Sequence, residues 1–299
     1  MTGTDPATLG FLGLGVMGSA ECLHLVRKSG RPVVVFDPNP DGTAALVAAG
    51  AMAAGSVGEV AAAADVVFLS LPGGREVSSV LYDAGGIADR ARPGTLVVDL
   101  STTPVDLARA AHERLALRQC GFLDAPVART RKAAVAGTLA IMVGGTAENF
   151  ARAEPLLRMM GTDVTHCGAA GAGALLKLVN NTVVFETVVA LAEAVTLARR
   201  SGLVSDQVLF DVLGAGSAGS FALENHGRSA LLPDVHPTGI FPAAYMRKDV
   251  GYTLELAAEL GVELPAATLA HSLLDRLCDE GFADNYHTAV VRLLDRTGN

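Results

Sequence analysis

The stretch that most restricts the fold lies near the start of the chain. Thr8-Leu9-Gly10-Phe11-Leu12 reads as a short buried strand and runs directly into Gly13-Leu14-Gly15-Val16-Met17-Gly18, with residues 16–29 following at helical spacing. Each glycine of this turn answers a separate need. Gly13 permits the tight turn, Gly15 lets the backbone approach a pyrophosphate, and Gly18 allows close packing of helix on strand. The first N–H groups of the helix lack intrahelical partners and are free to meet phosphate oxygens. Gly13, Leu14, Gly15, Val16, Met17 and Gly18 are therefore the expected cradle of a dinucleotide. Such a motif is weak alone, and the next strand strengthens it. Residues 32–36 form a second buried strand ending in Asp37, 19 residues past Gly18, where a carboxylate accepts from both ribose hydroxyls and repels a 2′-phosphate. Pro38-Asn39-Pro40 offers that phosphate no arginine. NAD is the expected cofactor, with NADP not excluded; the competing reading of Asp37 is a surface-turn aspartate.

Strands and helices then alternate. Helical patterns over residues 41–49, 57–63, 77–82 and 105–119 are interleaved with strands near Ala51 and over 65–71, 96–99 and 121–125. This rhythm builds a doubly wound α/β sheet, in which ligands collect beyond the carboxyl ends of the strands. Leu71, Pro72, Ser101 and Thr102 are the expected neighbours of a nicotinamide; Ser101 and Thr102 can also cap the helix that begins at Pro104. Residues 163–167 read as the last strand. Beyond them only helices are expected, over 205–213, 218–225, 246–260 and 268–280. The expected division is a Rossmann-type domain over residues 1–167 and an all-α domain over residues 168–299.

Composition narrows the function classes. Half of the 299 residues are apolar, enough for two cores. A net charge of −8 leaves no basic footprint for nucleic acid or an anionic membrane. The four cysteines are scattered without a C-x-x-C, and the seven histidines show no ligand spacing. Neither a metal site nor a disulfide framework is expected, and a reducing cytoplasm is the expected compartment. No basic segment precedes the first apolar run, which glycines interrupt, so no signal peptide is expected.

Between the two expected domains lies Gly168-Ala-Ala-Gly171-Ala-Gly173-Ala-Leu-Leu-Lys177-Leu-Val-Asn180-Asn181, the opening of a long apolar helix. Lys177 and Asn181 fall four residues apart on one face. Glu186 and Glu193 add to their polarity, which argues against a membrane span. A lysine inside such a helix either snorkels to the surface or has a chemical task.

Taken together, G-L-G-V-M-G, D-x-S-T-x-P at 99–104, D-A-P-V at 124–127, G-T-L-x-I-M-V-G-G at 137–145, G-x-G-x-x-x-K-x-x-N-N at 171–181 and Lys248-Asp249 resemble the β-hydroxyacid dehydrogenases related to 3-hydroxyisobutyrate dehydrogenase. The resemblance implies that Lys177 is the catalytic lysine and Asn181 its companion. It implies that Thr102 lies beside the nicotinamide, that Lys248 reaches the cofactor from an all-helical domain, and that Lys177 lines a crevice between domains. The implied reaction is reversible hydride transfer between a nicotinamide cofactor and a β-hydroxy acid, giving a semialdehyde.

One loop departs from the family pattern. Where the family usually reads D-A-P-V-S-G-G, this chain has Ala128-Arg129-Thr130, which resembles the G-R-T loop of a sulfolactaldehyde reductase branch. A guanidinium fork and a hydroxyl suit a strongly anionic substrate end such as a sulfonate. Because Arg131 and Lys132 follow, a solvated basic run is the competing reading. Ser101, Arg129, Thr130, Asn180 and Asn181 form the expected substrate-binding set. A small anionic substrate and a homodimer or homotetramer are the expected partners. The rival functions are imine reduction and a non-catalytic cofactor-binding scaffold.

Overall fold

The computed structural model describes residues 7–295; the N-terminal segment bearing on a signal peptide lies outside them. Among the described residues nine strands form one sheet: β1 (Leu9–Leu12), β2 (Val33–Phe36), β3 (Met52–Ala53), β4 (Val66–Leu69), β5 (Leu96–Asp99), β6 (Gly121–Asp124), β7 (Val127–Ala128), β8 (Leu139–Gly144) and β9 (Gly161–Gly168). Their order is β3-β2-β1-β4-β5-β6-β8-β7, with β9 paired to β8. From β3 to β6 every pairing is parallel, while β8 runs antiparallel to β6 and β7. The apolar runs are continuous because helices cover such a parallel sheet on both faces. Phe11 and Phe68, both fully buried, stack at 6.0 Å in adjacent strands β1 and β4.

The covering helices are α1 (Gly18–Lys28), α2 (Pro40–Ala48), α3 (Val57–Ala63), α4 (Gly74–Tyr82), α5 (Ile87–Arg90), α6 (Val105–Ala116), α7 (Arg131–Ala136) and α8 (Ala147–Leu157). Side chains of Asn39, Ser56 and Thr146 accept backbone N–H bonds at the starts of α2, α3 and α8. α1 starts at Gly18 because the residues before it form the turn, and α6 stops at Ala116, just before Gln119 takes a positive φ of 58°. Several further helices differ from their expected bounds, α4 and, in the second half of the chain, the helices Ala243–Glu259 and Pro265–Leu277 each starting three residues earlier.

The chain divides into two compact units, one through Lys177 and one from Leu178. The division falls inside α9 (Ala172–Ser201), beyond the last strand, because the first turn of this 30-residue helix is anchored to the sheet. The second unit comprises the rest of α9, α10 (Asp206–Ala215), α11 (Ala243–Glu259), α12 (Pro265–Leu277) and α13 (Val291–Asp295). The helix expected over residues 218–225 instead begins at residue 221 and winds in wide turns from Leu223 to Leu231. Gly216 and Gly219 keep the chain before it out of helix. By length and composition α9 is apolar enough to cross a membrane, yet its Phe185, Val188, Ala192 and Val195 form the core of the second unit with Phe210, Met246 and Leu274.

Candidate active site

The glycine turn has the geometry its spacing implies. Gly13 sits at φ +92°, and a Cβ there would lie 2.3 Å from the Ser70 carbonyl oxygen. A Cβ on Gly18 would lie 2.0 Å from the Gly13 oxygen, whereas one on Gly15 would meet nothing within 4 Å. Space is thus open above Gly15 alone, where a pyrophosphate would approach. No side chain caps the N-terminus of α1, and Ser19 N, Ala20 N and Glu21 N bond to the Gly15 and Met17 oxygens, so it is the turn just before Ser19 that faces a phosphate. Asp37 extends from the end of β2, its Oδ2 accepting from Leu14 N over 2.6 Å and its Oδ1 from Asn39 N over 2.7 Å. Each oxygen keeps a second lone pair for a ribose hydroxyl. These features fit a dinucleotide. Beside Phe36 a cleft of about 660 Å³ opens between α3 and α4, lined by Val57, Ala62, Ser79, Val80 and Arg90 among others. The linear sequence carries no sign of this cleft, whose walls come from three separate segments.

Two neighbouring strand ends are tied together. Leu71 N donates to Ser101 Oγ over 2.9 Å, and Ser101 N donates to Asp99 Oδ1 over 2.9 Å. Ser101 is buried and Thr102 half-buried, so Ser101 holds the loop while Thr102 is the more accessible of the two. Burial pushes the Asp99 carboxyl up to about 7; the hydroxyl and N–H of Ser101 oppose the rise, and Asp124 on the adjacent strand adds to it.

Asp124 performs a role that its motif did not reveal. Its Oδ1 accepts from Gly171 N and its Oδ2 from Ala174 N, each over 2.8 Å, so a strand-end carboxylate caps the start of α9. Burial raises its carboxyl pKa and these N–H bonds lower it. A Cβ on Gly173 would come within 2.3 Å of the Met142 oxygen and 2.7 Å of the Asp124 oxygen. Gly173 therefore lets the start of α9 sit directly against the ends of β6 and β8.

Arg129, expected to present its fork to a substrate anion, is engaged elsewhere. Nη1 donates to the Thr138 oxygen over 2.6 Å and to Thr162 Oγ1 over 3.1 Å, and Nη2 meets Asp163 Oδ2 at 2.6 Å. The reason is local: its φ of +85° suits the glycine of the usual family loop and sends the arginine side chain to the β8–β9 edge. Thr130 precedes α7 without capping it through its side chain.

In the second unit, Asn180 Nδ2 donates to Asn181 Oδ1 over 3.1 Å, and Asn181 Nδ2 donates to Asp249 Oδ2 over 2.7 Å. Lys248 Nζ meets Asp249 Oδ1 at 2.8 Å and lies 5.0 Å from the Tyr252 ring centre. Asn181 and Lys248 thus both meet Asp249, which the sequence presented only as part of a motif, and Asn180 joins them through Asn181. Lys177 stands one helical turn before Asn181 on α9 and is half-buried. Lys177 is carried on the first turns of α9, whose start Asp124 holds.

Comparison with known proteins accounts for both halves. Residues 8–168 match the model of the NAD-binding domain of 6-phosphogluconate dehydrogenase, and residues 171–294 match that described as NAD-binding of NADP-dependent 3-hydroxyisobutyrate dehydrogenase. The NAD-dependent L-serine dehydrogenase of Pseudomonas aeruginosa is 36% identical over 294 residues, covering 97% of this chain and 98% of that protein. The 2-(hydroxymethyl)glutarate dehydrogenase of Eubacterium barkeri is 33% identical, covering 96% and 95%. The structure of Mycobacterium tuberculosis 3-hydroxyisobutyrate dehydrogenase with L-serine superposes with a TM-score of 0.87 at 35% identity, covering 96% of this chain and 99% of that one. With two family models spanning nearly the whole chain and relatives above 30% identity matched end to end, this chain belongs to the β-hydroxyacid dehydrogenase family of nicotinamide-dependent oxidoreductases.

Proposed function

We propose that the chain oxidises a small β-hydroxy acid to its semialdehyde, reversibly, with NAD as the preferred cofactor. The observation that carries this reading is Lys177, set one turn before the buried Asn181 on a helix whose start is held by Asp124. The bound nicotinamide would supply the hydride acceptor or donor. Gly13 to Gly18 and Asp37 would hold the dinucleotide, and the cleft beside Phe36 suits its adenosine end. Leu71, Pro72 and Thr102 lie at strand ends, where the reactive ring would sit.

Lys177 manages the proton. In reduction its ammonium donates to the oxygen that develops negative charge; in oxidation its amine accepts the hydroxyl proton, a contribution of ~10²- to 10⁴-fold in rate. Asn181, held by Asp249, keeps its face of α9 in register for the substrate, and Asn180 supports it. Preference for NAD rests on Asp37, which would repel a 2′-phosphate. A homodimer or homotetramer in the cytosol accompanies this proposal; Val179, Val183 and Leu197, exposed along α9, support self-association.

The test is turnover with NAD and with NADP against L-serine, 3-hydroxyisobutyrate, 2-(hydroxymethyl)glutarate, a three-carbon hydroxysulfonate and a cyclic imine. Oxidation of one or more carboxylates with NAD, lost in Lys177→Ala while NADH still binds, is the expected result. Near-normal turnover in Lys177→Ala, or activity on the imine alone, would overturn the proposal.

A further inference from the structure

Three strand ends meet at Asp99, a residue that no ligand can touch because it is 1% exposed. Its register partners are Leu69 on β4 and Asp124 on β6. Leu100 N donates to the Leu69 oxygen over 2.8 Å, and Ala125 N donates to the Asp99 oxygen over 2.7 Å, so the backbone holds the three strands abreast to their last residues. Beyond that point the chain leaves the sheet as separate loops, and the ladder no longer ties them. The Asp99 side chain takes over: its Oδ1 holds Ser101 N, and Ser101 Oγ in turn holds Leu71 N. This connects the loop bearing Leu71 and Pro72 to the turn bearing Thr102, across 30 residues of sequence.

We propose that Asp99 is a positioning residue for hydride transfer: acting through Ser101, it joins the Leu71–Pro72 loop and the Thr102 turn into one wall, so that both sides of the ring site keep a fixed separation. The proposal rests on the reading of these loops as nicotinamide neighbours. An acceptor at Oδ1 is all the brace requires, and the neutral acid provides it as well as the carboxylate does. The groups facing the carboxyl are the hydroxyls of Ser101 and Thr103 and, as the titratable one, the carboxyl of Asp124. With burial raising the pKa to about 7, Asp99 changes charge near neutrality and Asp124 opposes its ionisation.

The test uses the full-length enzyme with its NAD-dependent activity and a separate NADH-binding titration. Asp99→Ala and Ser101→Ala are each expected to lower kcat/KM at least tenfold while leaving the NADH Kd within about threefold. The double variant is expected to be no worse than the poorer single one, as members of one brace are non-additive. Asp99→Asn, which keeps the acceptor, is expected to hold kcat/KM within threefold of wild type at both pH 6.5 and pH 8. Additive losses, or an Asp99→Ala variant within threefold of wild type, would overturn the proposal. If Asp99→Ala does not fold, Ser101→Ala decides alone: at least a tenfold loss of kcat/KM with the NADH Kd held supports the brace, and a loss under threefold overturns it. A wild-type protein inactive on every hydroxy acid would count against the proposed function, whereas wild-type activity with additive variants would count against Asp99 only.

Discussion

The Asn181 amide nitrogen lies 2.7 Å from Asp249 Oδ2, and both side chains are buried, at 4% and 1% exposure. One residue comes from the long helix α9 and the other from α11, 68 positions later. A buried acceptor deprived of its donor costs about 1–3 kcal/mol. Asn181→Ala is therefore expected to lower stability by that amount and kcat by tenfold or more. Asn181→Asp should be less stable than Asn181→Ala, because two buried carboxylates then face each other. Thermal denaturation checks the stabilities and steady-state kinetics the loss of kcat.

Arg129 occupies a backbone position suited to glycine and donates its guanidinium to Asp163. Arg129→Gly removes the strain of φ +85° together with an ion pair whose Asp163 member is open to solvent. The melting temperature is expected to hold or rise. KM for carboxylate substrates should change less than about threefold, since the fork faces the β8–β9 edge. A tenfold loss confined to sulfonate substrates would instead return Arg129 to the substrate site. Parallel kinetics on a carboxylate and a sulfonate decide between these outcomes.

Burial of Glu21 on α1 raises its carboxyl to about 7, against the pull of the Ser70 side chain. A folded-state pKa above the unfolded one makes a contribution that is fully present below the unfolded value of about 4.5 and is lost as pH rises through about 7. Glu21→Gln cannot ionise. It should match wild type near pH 4.5 and exceed it by ~1–3 kcal/mol at pH 8. Chemical denaturation at both pH values would reveal the gain, and equal curves at pH 8 would contradict it.

In the second unit His287 is wholly buried among Phe185, Phe241, His226 and Tyr286, with no hydrogen-bond partner on either ring nitrogen among the described residues. Burial holds it well below its usual pKa and brings His226 down to about 4. Depressed folded-state values mean that the unfolded chain binds more protons. Stability is then complete above about 6.5 and falls as the pH drops towards 4. His287→Leu is expected to flatten that acid loss and to be relatively more stable at pH 5 than at pH 7.5. Urea denaturation at these pH values would show no difference in slope if His287 were charged in the fold.

Local sequence determined the glycine turn, Asp37 at the end of β2, the alternation that builds the sheet, and the spacing of Lys177 and Asn181. Each of these depends on interactions within a few residues: a turn that only glycine permits, a period of 3.6, a strand followed at once by a helix. Tertiary structure decided the partners. Asp124 caps a helix that begins 48 residues later, Asp99 reaches Leu71 through Ser101, and Asp249 gathers Asn181 and Lys248, because strand order and helix packing bring distant polar groups together in places where water cannot satisfy them. It also redirected Arg129, whose residue type suggested an anion fork. The φ of its loop and the nearby Asp163 on β9 determine where that fork points, and neither is encoded in Ala128-Arg129-Thr130 alone.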